Sequence, residues 1–264
     1  MKKHKVIAAT ALVLAFGPLV IKPPAITSQS PSQKNELSTV DPYDINNYKR
    51  TIEFSGYEFK VKDSSISSTG TLGPNNNIFS DSTDNVKVDK NGKLILQLSN
   101  KNNAWQAAEV ISKDDFGYGK YIFKLESRID LLDPNVTFSP FLYKDDLNEI
   151  DIEFSNFGTY NSQFIVQPYY IEGNLNTFKT SLNESYSSYV LDYQKNYVKF
   201  EAYHGHNVNN KNNLIKSWEY KGEIPHEEGM KLRFNLYIRN SDKPVNNKTQ
   251  KVIINSFDYI KSNN

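Results

Sequence analysis

Asn148-Glu149-Ile150-Asp151-Ile152-Glu153-Phe154 is the stretch whose reading decides the fold. In a strand, successive side chains point to opposite faces. Ile150, Ile152 and Phe154 therefore share one apolar face, and Glu149, Asp151 and Glu153 share an acidic one. The same alternation recurs outward from it, as in Tyr57-Glu58-Phe59-Lys60-Val61-Lys62 and Tyr121-Ile122-Phe123-Lys124-Leu125-Glu126. Shorter runs of the same kind fall at residues 86–88, 94–98, 107–111, 136–143, 164–171, 189–193, 197–203, 214–220, 232–238 and 252–260. Apolar residues do not recur at helical spacing over more than a turn or two. Asn91-Gly92 between two such runs is a hairpin signal. So many short strands exceed what one open twisted sheet holds. The expected fold is all-β: a jelly-roll β-sandwich of two stacked, curved antiparallel sheets with a concave cleft.

The rest of the chain agrees with a folded, surface-polar protein. Of 264 residues, 17 are Tyr, 15 Phe and 2 Trp, whereas a disordered chain is poor in aromatics. With 31 Lys and Arg against 30 Asp and Glu, there is no basic excess to attract nucleic acid. The chain has no cysteine, which removes disulfides, thiolate metal sites and cysteine nucleophiles.

The N-terminus reads as an addressing segment. Lys2, Lys3, His4 and Lys5 precede an apolar run from Val6 to Ile21, followed by Pro23-Pro24-Ala25. Residues 1–25 are expected to be an export signal or an N-terminal anchor, giving a secreted or cell-surface protein with no other membrane segment. Without them, 27 basic residues face 30 acidic ones. Residues 26–49, rich in Ser, Thr, Asn, Gln and Pro, suit a flexible linker or a surface-hugging arm. The domain is placed at residues 50–264, as a monomer.

Three like charges along one strand face repel one another and add no stability. A solvated edge strand or a calcium cluster including Asp145 and Asp146 would each account for them. The calcium reading lacks the Asp-x-Asp-x-Asp-Gly loop pattern, and the acids lie within a strand. Chemistry is the third reading. At about 3.3 Å per residue, the Cα atoms of Glu149 and Glu153 are about 13 Å apart. Glutamates leaning along a concave strand can approach the roughly 5–5.5 Å of a retaining glycosidase pair, and a flatter strand would give the roughly 6.5–9.5 Å of an inverting one. Asp151 between them can hydrogen-bond one Glu and raise the proton affinity of a neighbour.

Glu149-Ile150-Asp151-Ile152-Glu153 resembles the Glu-x-Asp-x-Glu signature of glycoside hydrolase family 16, which includes laminarinases and lichenases. Three further blocks resemble that family in order: Trp105–Ser112 leading into Phe116–Tyr121, then Tyr189–Gly205, then Phe234-Asn235-Leu236-Tyr237. The resemblance implies a jelly roll in which Glu149 is the nucleophile, Asp151 the assisting carboxyl and Glu153 the general acid/base. It also implies that Glu109, Asn235 and Tyr237 contact sugar, with Trp105 a candidate platform. No cofactor is implied for catalysis, although a structural calcium accompanies many members. Ile111 and Tyr237 stand where a lichenase has Arg and Trp, so mixed-linkage glucan specificity does not carry over.

On the strand after the motif, Gln163 and Gln167 share one face and are suited to reading hydroxyls. Pro168 marks an edge or a bulge there. His204 and His206 lack a third partner for a metal and read as a turn. The expected function is an exported retaining β-glycanase that hydrolyses or transglycosylates internal β-linkages of a polysaccharide or oligosaccharide. The alternative is a non-catalytic carbohydrate-binding jelly roll of the cell surface.

Overall fold

Alternating sequence becomes strand throughout. The computed structural model describes residues 40–239 and 243–263. The leader and most of the polar segment after it lie outside the described residues. In chain order the strands are β1 (Thr51–Phe54), β2 (Tyr57–Val61), β3 (Ile78–Phe79), β4 (Val86–Val88), β5 (Leu94–Lys101) and β6 (Ala104–Asp115). There follow β7 (Gly119–Glu126), β8 (Val136–Asp145), β9 (Asn148–Phe154), β10 (Ser162–Val166) and β11 (Leu175–Phe178). The last five are β12 (Tyr186–Gln194), β13 (Tyr197–His204), β14 (Leu214–Tyr220), β15 (Lys231–Ile238) and β16 (Gln250–Lys261). Among the described residues the helical elements are three-residue 3-10 turns, and no helix is long and apolar enough to cross a membrane.

One sheet runs β11-β10-β9-β8-β15-β6-β2-β1 and the other β4-β5-β16-β7-β12-β13-β14. All these neighbours are antiparallel; only the short β3 pairs in parallel, with β6. The start of β6 also pairs with the end of β5, which carries the backbone from one layer to the other. This is the expected jelly-roll sandwich.

The layers meet through rings contributed by alternate residues. Phe123 stacks on Phe257 at 5.6 Å and meets Phe234 edge-on at 5.7 Å. Phe154 contacts Tyr189 at 4.7 Å, and Phe164 contacts Phe200 at 4.9 Å. All of these residues are buried. Each ring of this size contributes about 1.5–3 kcal/mol by leaving water. Phe154 and Phe164 thereby press β9 and β10 onto the second sheet and turn the opposite face of β9 away from the core.

Two boundaries differ from the sequence reading. The strand expected over residues 164–171 stops at Val166, because Pro168 has no N–H to continue the ladder. The chain turns instead through Ile171 N–H to Pro168 O and Asn174 N–H to Ile171 O, leaving Tyr169 and Tyr170 exposed. The fold also begins before Arg50. Within residues 41–48, read as part of a flexible linker or a surface-hugging arm, Asp41 and Asp44 cap local turns and Tyr48 is buried at 1% exposure, while the other residues are exposed or partly exposed.

Candidate active site

β9 lies between β8 and β10, with Asp151 opposite Phe141 on one side and Ile165 on the other. Ile150, Ile152 and Phe154 enter the core; Glu149 and Glu153 are half-buried and Asp151 is buried on the outward face. The carboxyls are held from β10 and its exit. Gln163 Nε2 donates to Glu153 Oε2 at 2.5 Å, and Gln167 Nε2 donates to Asp151 Oδ2 at 3.2 Å. Gln167 is placed by two backbone bonds: its own N–H donates to Glu149 O, and its Oε1 accepts from Tyr169 N. Both glutamines project from the face shared with the acids because Gln163 is opposite Glu153 in the ladder.

Burial raises the proton affinity of all three acids. Glu149 is pushed up to about 7 by burial and by the charge of Glu153; a hydrogen bond from Asp151 and the charge of Arg233 act against that rise. Asp151 is held well above the carboxylate range, first by burial and then by the charges of Glu149 and Glu153. The bond between them stabilises the anion on Glu149 and the proton on Asp151. Glu153 is raised by burial, opposed by the Gln163 bond and by Arg239. A buried Asp that keeps a proton and donates it to a neighbouring Glu lets that Glu carry charge where three charges could not coexist.

Asp145 and Asp146, considered above as calcium ligands, serve the β8–β9 hairpin. Asp145 accepts from Leu147 N, Asn148 N and Asn148 Nδ2, and Asp146 accepts from the Tyr143 hydroxyl. Among the described residues no three acidic, histidine or cysteine side chains converge as a metal site. The triplet's partners are amides and one another, and no carboxylate set for a structural calcium is present among those residues.

Residues 74–255 match the family model described as glycosyl hydrolases family 16, a span that covers more than half of the chain and includes the whole triplet. The chain belongs to glycosyl hydrolase family 16. Solved structures with the same fold include a Bacillus licheniformis beta-glucanase, at 20% identity and TM-score 0.58, covering 83% of this chain and 96% of that one. A beta-1,3-1,4-glucanase (lichenase) from a mouse hindgut metagenome aligns at 19% identity and TM-score 0.54, over 70% of this chain and 86% of that one. A Mycobacterium tuberculosis protein described as an immunostimulatory antigen and pseudo beta-1,3-glucanase aligns at 17% identity and TM-score 0.53, over 70% and 81%. A search of curated protein sequences gave no match. At these identities the likeness carries the fold.

Within this family 16 domain, the residues named from sequence fall in three places. Asn235 and Tyr237 lie on the triplet's side of the sheet, on β15, opposite Ser139 and Thr137 of β8. Tyr237 is close enough to Glu153, Asp151 and Glu149 for their charges, after burial, to raise its phenol. The Oδ1 of Asn235 is buried without a hydrogen-bond partner, on a residue 4% exposed. Gln167 touches the triplet directly, as described. Glu109 is on β6, opposite Asn235, but both its oxygens are taken: Lys62 Nζ at 2.8 Å and Arg233 Nη1 at 3.2 Å. Its 1% exposure leaves no face for a ligand. Trp105 is not brought to the triplet; it stands where β6 pairs with β5, opposite Asn100, and packs half-buried against the core.

Sequence reading missed Arg233, whose guanidinium lies 4.3 Å over the Tyr143 ring while its charge acts on Glu149. Its signal was available, since Arg233 shares the parity of Asn235 and Tyr237. Tyr143 is opposite Glu149 on β8, but no sequence spacing announces that register. Arg239, just past β15, sits over Phe157 at 4.9 Å and opposes the rise of Glu153.

Proposed function

We propose that this protein is an exported, retaining β-glycanase that cleaves a β-glycosidic bond within a polysaccharide, or transfers the cut chain to another sugar. The observation that carries the reading is the arrangement inside the triplet. Glu149, Asp151 and Glu153 share one face of β9, Asp151 held by Gln167 and pushed well above the carboxylate range by burial, and Glu153, four residues from Glu149, held by Gln163 and raised by burial. Family membership supports a glycosidase, and the roles are those that the resemblance at Glu149–Glu153 implies.

Glu149, as the anion, attacks the anomeric carbon as Glu153 gives its proton to the departing glycosidic oxygen. The glycosyl–Glu149 ester then meets water, or a second sugar hydroxyl, whose proton returns to Glu153. Asp151 bonds to the carboxylate that Glu149 regains. Gln167 supplies polar groups for hydroxyls, and the Tyr143–Arg233 pair forms a flat surface beside Glu149. The basic, apolar run at residues 2–21 supports export.

The test is an assay of the purified protein on β-glucans, agars and xyloglucan beside Glu149→Gln. The expected result is new reducing ends from the parent and a loss of at least about a hundredfold in the variant. Activity that survives the substitution contradicts Glu149 as nucleophile. Binding of these polymers without cleavage by the parent would instead support the carbohydrate-binding alternative, which the sequestered Glu109 and the substituted Ile111 favour.

A further inference from the structure

A second cleft opens where the two sheets end, β14 being the last strand of one and β11 the last of the other. Its volume is about 810 Å³, the size of a small-ligand site. It is walled by residues 147–148 of the β8–β9 hairpin, residues 171–174 of the turn before β11 and residues 218–225 at the end of β14, together with Gln167 and Pro168. These walls are fixed by the protein itself. The Tyr220 hydroxyl donates to Glu223 O at 3.3 Å, and Asn174 Nδ2 donates to Pro168 O at 3.2 Å. Gly222 lies so close to the Tyr220 ring that a Cβ there would stand 2.3 Å from its hydroxyl oxygen.

Trp218 gives this cleft an aromatic platform. Phe164 of β10 stacks on Phe200 of β13 at 4.9 Å, with ring planes 17° from parallel, and Phe200 stacks on Trp218 at 5.2 Å and 18°. The two phenylalanines are fully buried, whereas Trp218, the outermost of the three rings, is half-buried and lines the cleft. Among the described residues no strand pairs with β14 beyond β13, so the sheet does not cover the indole on its far side. The rim is polar and net acidic. Glu172, Glu219 and Glu223 stand there against Lys221, which pairs with Glu219 at 2.7 Å. Glu172 and Glu223 are exposed and offer carboxylate acceptors to a ligand.

We propose that this cleft is a second glycan site, which takes a neutral pyranose unit with its C–H face on the Trp218 indole and its hydroxyls toward Glu172 and Glu223. A flat ring with an apolar face suits the first group, and hydroxyl donors suit the second. The same acids repel a sulfated or carboxylated glycan. The cleft adjoins the catalytic strand: Gln167, part of its wall, donates to Asp151 Oδ2 at 3.2 Å, and Asn148, another part, precedes Glu149 on β9. Resting on the glycanase reading above, the site holds a polymer beside the triplet and raises its local concentration there.

The test is a titration of the Glu149→Gln protein, which leaves the polymer uncut, with soluble β-glucans and xyloglucan and with carboxymethylcellulose as the anionic probe. Binding is followed by calorimetry and by tryptophan emission. The chain has two tryptophans, so adding Trp105→Phe leaves Trp218 as the emitter. Its emission is expected to move to the blue as a neutral glycan binds and to stay unchanged with carboxymethylcellulose. Trp218→Ala is expected to weaken binding of the neutral polymer about tenfold, the effect of one lost aromatic contact, and, with Glu149 restored, to raise KM for that polymer by a similar factor. Should Trp218→Ala fail to fold, the emission of Trp218 decides. Emission that does not move with a polymer the parent cleaves, or a response to carboxymethylcellulose equal to that of the neutral glycans, overturns the site and leaves the glycanase reading intact. An emission shift in a protein whose parent cuts no polymer supports the site and overturns the glycanase reading. Neither shift nor cleavage with any polymer overturns both.

Discussion

The two flanks of β9 are built from opposite materials. Toward β6 the outward face is closed by charge pairs: Lys62, Glu109 and Arg233 are linked, and Lys62 and Glu109 are buried. Toward β10 the same face carries neutral amides, with Gln163 and Gln167 bonded to the acids and tyrosines exposed beyond. The difference separates two uses of polar residues in one sheet. A buried charge must be paired within the protein and so is withdrawn from ligand chemistry. An amide can hold a carboxyl and still leave it free to exchange a proton.

The largest effect is expected at Glu109. Glu109→Gln removes the anion shared by Lys62 and Arg233, leaving a buried ammonium and a half-buried guanidinium without a countercharge. The expected loss is about 3–5 kcal/mol of unfolding free energy, read by denaturant titration. A neutral effect would mean that this flank is more hydrated than its burial indicates.

The other flank is expected to respond in rate. Gln163→Ala removes the donor to Glu153 and is expected to lower kcat by about 10–100-fold, the equivalent of one hydrogen bond to a charged group, with a smaller change in melting temperature. Because that bond opposes the rise of Glu153, its loss moves the alkaline limb of the pH–rate profile upward. A large melting shift with an unchanged profile would make Gln163 structural and erase the contrast between the flanks.

The smallest effect concerns the triplet between the flanks. Carboxyls raised by burial are neutral in both folded and unfolded chains below about pH 4, and the fold is most favoured there with respect to them. Above that the unfolded chain ionises first, so this contribution is lost as pH rises through the folded-state value, about 7 for Glu149. Melting temperature is therefore expected to fall between pH 5 and 8, and to fall less in Asp151→Asn, which removes the most strongly raised acid. A fall equally steep in the variant contradicts the assignment of the retained proton to Asp151.

Much of this was legible in the sequence because strand periodicity is a local property. The face shared by Glu149, Asp151 and Glu153 follows from alternation alone, and so does the face shared by Gln163 and Gln167. Glu109 shows where the reading stops: the resemblance implied a sugar contact, but Glu109 lies opposite Asn235 with both oxygens held by Lys62 and Arg233, 47 and 124 residues away in the chain. Tyr48 was less legible still. Polar composition around it signals a linker, and only the fold reveals that Asx turns at Asp41 and Asp44 gather the segment and direct one aromatic onto the sheet. Pro168 did announce an interruption, and the strand stops two residues before it.

The central claim is that Glu149 forms a bond to sugar with help from Asp151 and Glu153. Its most direct test is to incubate the protein with an activated 2-deoxy-2-fluoro glycoside of the sugar it cleaves and to map the adduct by peptide mass spectrometry. One glycosyl unit on the peptide containing Glu149, absent in Glu149→Gln, is the predicted result. An adduct on another residue, or none while hydrolysis releases the inverted anomer, would contradict it.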